Sequence, residues 1–485
     1  MNDARNAHLT AWQSQEALAE TLVPLVGSLY RDRALVVAVF GISLVGRTPV
    51  QMLSVFADAA RYAEQDLSLE LAVELMQLMQ GLELGRARVD VGKLLVRFAA
   101  SSHTSITEYA TQAFAPLLAS PKGMPERAQD VVLYGFGRIG RLIARILIGK
   151  TGGGDKYRLR AIVLRPGSLT DLHRRASLLA TDSVHGPFNG TIEVDEEQNA
   201  IIANGNMVQV IYASAPDEVD YAVHDISNAV VIDNTGKWRD RAGLSRHLKS
   251  SGVSKVILTA PGKGVPNIVY GVNQSEIEEG ESVFSAASCT TNAIAPVLKV
   301  VHNAYGIKRG HLETIHAYTN DQNLIDNFHK KDRRGRAAAL NMVITSTGAA
   351  NAVSKALPEL EGKLTGSAIR VPTPNVSLAI LNLELDTDVD RDRLNDFLRK
   401  VAADSPLSGQ IGYSVSPEAV SSDLVGNYHA GVVDSIATIA RDGNAILYVW
   451  YDNEYGYSCQ VMRLLQEVAD VSPVLFPRAS SFPQA

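Results

Sequence analysis

The segment Val131-Val132-Leu133-Tyr134-Gly135-Phe136-Gly137-Arg138-Ile139-Gly140 joins a β-branched run to a G-x-G-x-x-G turn, and residues 141–148 continue at helical spacing. A strand that feeds directly into such a turn and then into a helix opens a βαβ unit suited to a pyrophosphate. Gly135 permits the tight turn, Gly137 lets phosphate oxygens approach the backbone, and Gly140 allows close packing of helix on strand. The free amides and the positive end of the helix dipole then face the anion. Without the flanking strand and helix, the same glycines would read as an ordinary turn.

Outward from this segment, apolar β-rich runs alternate with helical patterns. Residues 159–164, 208–212, 230–232 and 256–258 are expected as further strands of one mostly parallel sheet, so 129–288 reads as a Rossmann dinucleotide-binding domain. Longer alternating runs at 376–385 and 445–450 predict a more antiparallel α+β catalytic domain over 289–452, and a helical pattern over 453–472 is expected to complete the first domain. Residues 1–120 carry stripes such as Leu18, Leu22, Leu25, Val26 and Leu29, which predict an all-α N-terminal domain. Two prolines and a glycine among charges mark a linker at 121–128, and 473–485 reads as a tail. The expected fold class is α/β: a Rossmann domain plus an α+β catalytic domain, preceded by an all-α N-terminal extension.

The 485 residues carry 46 basic and 52 acidic side chains, a net charge of −6. No global field therefore draws the chain to nucleic acid or to a membrane, and any anionic ligand needs a local cluster of donors. Two cysteines, Cys289 and Cys459, leave no disulfide framework and no CxxC metal site, so no metal is expected. The polar start lacks a secretory pattern, and the apolar run 34–41 falls short of the roughly 20 residues a bilayer requires. The expectation is a soluble, cytoplasmic protein.

Strand 159–164 ends in Arg165, with no acid until Asp171. An acid there would bind a free ribose and select NAD, whereas a guanidinium suits a 2′-phosphate, so the reading leans toward NADP or dual use. Cys289 lies in Ser288-Cys289-Thr290-Thr291-Asn292, just ahead of the helical run 293–305, where helix amides stabilise a thiolate. His316 follows 27 residues later, and a cysteine with an imidazole is the minimal activated nucleophile. Taken alone, each is more often structural.

Ser-Cys-Thr-Thr-Asn resembles the active-site segment of phosphorylating glyceraldehyde-3-phosphate dehydrogenases. The segments 135–141, 345–350, 363–366, 370–375 and 450–457 match that family in order, over about 129–470. The resemblance implies that Cys289 attacks the aldehyde of glyceraldehyde 3-phosphate, with His316 taking the proton. Hydride transfer to NAD or NADP and attack by inorganic phosphate then give 1,3-bisphosphoglycerate. By the same match, Thr319 and Arg370 hold the substrate phosphate. Ser288, Thr290, Arg336, Thr347 and Gly348 hold the attacking phosphate. Arg138 and Ile139 touch the pyrophosphate, Thr259 lines the nicotinamide side, and Asn453 orients the carboxamide with Tyr457 nearby. A homotetramer is also implied.

The bland alternatives are a solvated charge run around Arg336, a helix cap at Thr347 and Gly348, and a turn at Asn453. The family's Asn-Asp at the end of the second strand is replaced by Leu164-Arg165, and its adenine-side arginine by Ser214-Ala215-Pro216. Two other functions remain open at this stage. One is erythrose-4-phosphate dehydrogenase, which uses the same pair but ends in attack by water. The other is a non-catalytic dinucleotide sensor acting through residues 1–120.

Overall fold

The computed structural model describes residues 2–119, 128–151, 156–165, 167, 171–345 and 347–484. The linker expected at 121–128 lies outside the described residues except for Ala128.

Strand Gln129–Tyr134, buried from Asp130 onward, lies inside an eight-stranded sheet. On one side it pairs in parallel with Ala229–Asp233, followed by Val253–Leu258 and Val283–Ser285. On the other it pairs in parallel with Tyr157–Leu164 and then Asn206–Tyr212, beyond which Ala200–Ala203 and Ile192–Asp195 form an antiparallel edge. Such apolar runs suit strands covered on both faces. Helix Arg138–Lys150 contributes to this core, and helix Tyr455–Val468 returns from the far end of the chain to join it through Val461, Met462, Leu464 and Leu465. Because Tyr134 is in register with both Val163 and Asp233, and Asp233 with Leu258, the turns after these strands emerge at one edge. Gly135, Arg165, Asn234 and Thr259 therefore share the carboxyl edge of the sheet, where α/β folds bind ligands.

The second sheet runs in the order Val343–Thr345, Leu364–Val371, Ile307–Ala317, Ser377–Leu385, Asn444–Tyr451, Gly431–Asp434, Ile411–Ser414, with Ile439–Arg441 beside Asn444–Tyr451. It is mostly antiparallel, but Ile307–Ala317 and Leu364–Val371 pair in parallel, which puts His316 opposite Arg370. Helices Cys289–Tyr305, Ala349–Ala356 and Arg391–Ala403 share one core with this sheet.

The N-terminal region is helical, as expected, with helices Asn2–Arg33, Pro49–Ala63, Leu69–Gly81, Val91–Ala99, Ile106–Ala113 and Ala115–Leu118. It also holds a sheet that an all-α reading does not contain: Ile42–Ser43, Leu35–Val39, Ala87–Asp90 and Val474–Phe476. A short, continuously apolar run such as Leu35–Val39 cannot be told from a buried helical turn by periodicity. The fourth strand comes from the stretch read as a tail. It pairs in parallel with Ala87–Asp90 and sets the Phe476 ring 5.4 Å from Phe114.

The extension docks on the catalytic body at Asp404, which accepts from Lys93 at 3.0 Å, Arg97 at 2.7 Å and Ser480 at 2.7 Å. Tyr62 sits edge-on to both Phe40 and Tyr413, and the Tyr428 hydroxyl donates to the Phe40 carbonyl at 3.3 Å. No helix among the described residues is long and apolar enough to cross a membrane.

Candidate active site

At the carboxyl edge, Gly135 has φ +94°, and a Cβ there would lie 3.0 Å from Thr235 Cγ2. A Cβ at Gly140 would lie 2.6 Å from the Gly135 carbonyl oxygen, so neither position admits a side chain. Gly137 caps the 13-residue helix Arg138–Lys150 with no side-chain bond, and the space beside its Cα is open. Beside this turn Asn234 Oδ1 is buried without a partner, while its Nδ2 donates to the Ile232 carbonyl at 3.0 Å. Uncapped helix amides and an orphaned amide oxygen fit the pyrophosphate and neighbouring polar groups of a dinucleotide.

Arg138 turns its guanidinium into the protein, 2.6 Å from Glu454 and 3.2 Å from Asp182, which leaves its backbone N–H for an anion. Ile139 packs into the domain core. Arg165 is exposed at the end of its strand and has no carboxylate partner among the described residues. The Thr259 hydroxyl donates to the Asp233 carbonyl at 3.1 Å. Trp238, not singled out by the sequence reading, lies on the turn after Ala229–Asp233, its ring covered by Lys237 at 4.5 Å and Arg246 at 4.6 Å.

The helix Cys289–Tyr305 begins at the cysteine itself. Ser288 is its cap, with Oγ accepting from the Thr291 N–H at 3.0 Å. His316, near the end of Ile307–Ala317, places Nε2 3.6 Å from Cys289 Sγ. Its Nδ1 lies 2.7 Å from the Ala317 carbonyl and 3.0 Å from Arg370 Nη1; the tautomer that bonds the carbonyl through Nδ1–H leaves the Nε2 lone pair facing the sulfur. Burial pushes the Cys289 thiol above its ordinary value, with Arg370 and the Thr290 bonds opposing. Burial and then the Arg370 charge push His316 down to about 3. Both directions favour the uncharged forms, against the helix amides, which favour a thiolate.

Around the pair, the Tyr451 hydroxyl bridges Thr290 Oγ1 at 2.9 Å and Thr314 Oγ1 at 2.8 Å, and its ring stands edge-on to His316. Tyr457 donates to the Ala287 carbonyl at 3.0 Å. Ser377 Oγ accepts from the Ala317 N–H at 3.1 Å and donates to Asn453 Oδ1 at 2.9 Å, tying Asn453 to the strand that carries the base.

Arg370 lies beside this pair. Its Nη1 donates to the Ala317 carbonyl at 2.8 Å and to Thr319 Oγ1 at 3.1 Å, and its Nε is buried with no partner. No carboxylate pairs with it among the described residues, so it is a desolvated cation with donors to spare, which suits an anion. Arg334 is the second inward guanidinium. Only 11% of its side chain is exposed; it pairs with Asp321 and lies 3.4 Å from Thr345 Oγ1. Arg336 is 64% exposed and pairs with Asp326 at 2.9 Å, outside this cluster. The expectation for Arg336 is corrected in favour of Arg334: the short 3₁₀ turn Asp332–Gly335 sends one arginine inward and the other to solvent. Thr347 Oγ1 accepts from the Ala349 N–H at 3.1 Å, and Gly348 precedes the helix Ala349–Ala356. The hydroxyls of Ser288, Thr290 and Thr347 thus all make internal bonds.

Two family profiles match the chain: glyceraldehyde 3-phosphate dehydrogenase, NAD binding domain, over residues 129–241, and glyceraldehyde 3-phosphate dehydrogenase, C-terminal domain, over residues 288–453. A glyceraldehyde-3-phosphate dehydrogenase of Priestia megaterium is 41% identical over 345 residues, covering 70% of this chain and 98% of that protein. The chain belongs to the glyceraldehyde 3-phosphate dehydrogenase family. It is an oxidoreductase of that family with a nicotinamide dinucleotide site. Glyceraldehyde-3-phosphate dehydrogenase 1 of Bacillus subtilis shows the same 41% identity and 70% coverage of this chain. A glyceraldehyde-3-phosphate dehydrogenase-like protein of Pseudomonas aeruginosa is 54% identical over 94% of this chain and all of its own length. An alignment of that span must include most of residues 1–120, so this family member shares its extension with at least one relative.

Proposed function

We propose that the protein catalyses the reversible oxidative phosphorylation of glyceraldehyde 3-phosphate to 1,3-bisphosphoglycerate. The observation that carries this reading is the Cys289–His316 pair at 3.6 Å beside Arg370, which has no carboxylate partner among the described residues. Cys289 Sγ attacks the aldehyde carbon while its proton passes to His316 Nε2, giving a thiohemiacetal. A neutral imidazole is the form that can accept that proton. A nicotinamide dinucleotide, when held at the Gly135–Gly140 turn, would supply the hydride acceptor, and loss of hydride from the thiohemiacetal would leave a thioester on Cys289. A phosphate oxygen then attacks the thioester carbon, the C–S bond breaks, and the acyl phosphate departs.

In this reading Arg370 and Thr319 hold the phosphate carried by the substrate. Arg334 and the helix ends at Thr290 and Gly348 hold the attacking phosphate, with Ser288 and Thr347 keeping those ends in place. Asn453, braced by Ser377, orients the nicotinamide side. Arg165, exposed and without a carboxylate partner among the described residues, supports use of NADP alongside NAD. The exposed apolar side chains Leu324, Phe328, Leu340 and Met342 support a homotetramer.

Initial rates with glyceraldehyde 3-phosphate, measured with NAD and with NADP and with phosphate present or omitted, test the reading. Turnover should stop after one equivalent of reduced dinucleotide when phosphate is absent. Sustained turnover without phosphate would overturn it in favour of attack by water, the erythrose-4-phosphate dehydrogenase type of reaction.

A further inference from the structure

A second cavity, remote from Cys289 in the sequence and in the fold, lies in the N-terminal extension between the helix Asn2–Arg33 and the 44–47 turn. Its volume is about 420 Å³, within the range of small-molecule sites. Val23, Leu44, Val45 and Met52 give it apolar walls, while Gly27 and Gly46 leave two wall positions without side chains. Two guanidiniums, Arg31 and Arg47, line it, and no acidic residue does. Arg47 Nε donates to the Ser43 carbonyl at 2.7 Å, and neither arginine has a carboxylate partner among the described residues. Two guanidiniums with no acid beside them suit an anionic group.

We propose that this cavity binds an organic anion, a carboxylate or phosphate or sulfonate on a compact apolar body. Arg31 and Arg47 hold the anionic group, and the Val23, Leu44 and Met52 walls hold the apolar body.

The probe is 8-anilinonaphthalene-1-sulfonate, titrated by fluorescence against the full-length protein with saturating NAD and NADP. Wild type should bind one dye per chain. The double variant Arg31→Gln/Arg47→Gln should weaken binding at least tenfold. Gly27→Leu, which fills the cavity and keeps both charges, should do the same. A Cβ at Gly27 meets only the movable end of Arg31, at 3.1 Å, so this variant is expected to fold. Should Gly27→Leu fail to fold, the double variant decides alone. Equal dye affinity in the folded variants places the dye elsewhere and overturns the site.

Discussion

Cys289 and His316 face each other across 3.6 Å, and burial works against the ions that their proximity would otherwise create. The direction of the Cys289 shift sets a pH dependence. A thiol held above its ordinary value keeps gaining thiolate past pH 8, and only the thiolate reacts with alkylating reagents. Iodoacetamide inactivation of the free protein should therefore climb about tenfold per pH unit from 7 to 9, with no plateau. A preformed thiolate–imidazolium pair would instead give a rate already level near neutral pH, and stopped-time assays of residual activity separate the two. The arginines offer a second test. Arg334→Met should lower kcat/KM for phosphate by about tenfold or more, the scale of a lost charge-assisted contact. Arg336→Met, a change to an exposed surface pair, should stay within about twofold.

Among the secondary-structure elements, strand Val474–Phe476 does the least expected work. It completes the sheet of the extension from the opposite end of the chain, and its Phe476 is buried against Phe114 in the extension's core. Phe476→Ala should destabilise the extension by about 3 kcal/mol, the usual scale for removing a buried ring. Urea unfolding followed by Trp12 fluorescence should show that loss, with the kcat of the catalytic body unchanged. An unaltered transition would mean that the strand adds nothing to the extension's stability. The parallel pairing of Ile307–Ala317 with Leu364–Val371 matters in the same way, since it alone sets His316 beside Arg370.

Across the whole molecule, the extension is joined to the catalytic body by the Asp404 cluster, by Tyr62 between Phe40 and Tyr413, and by the C-terminal strand. Lys93 and Arg97 hold the Asp404 carboxyl below its ordinary value against the upward pull of burial. This contact is thus fully present above the usual carboxylate range and lost as acidification reaches the depressed native value below it. Elsewhere, Phe328 is 91% exposed and Leu340 83%, too much apolar surface in one loop region for an isolated chain to leave wet without cost. Multi-angle light scattering should give about four times the 52.2 kDa of the chain, and a monomer mass would refute the proposed assembly.

The dinucleotide turn was legible in the sequence because its physics is local: Gly135, Gly137 and Gly140 meet demands set by the residues immediately around them. The alternating strands and the amphipathic helices were legible for the same reason, since a period of two or 3.6 records which side of an element is buried. The nucleophile and base could be named from their segments, but their 3.6 Å approach could not be. It follows from two distant elements meeting in one site. Arg334 and Arg336 are near-identical in sequence context, and a single 3₁₀ turn separates a buried donor from a solvated one. The sheet of the extension was hidden because its fourth strand lies nearly 400 residues from its partner, a pairing that no local pattern encodes. Local spacing thus determined the elements and the chemistry within reach; tertiary packing decided which side chains lost water, and with it their charge and their partners.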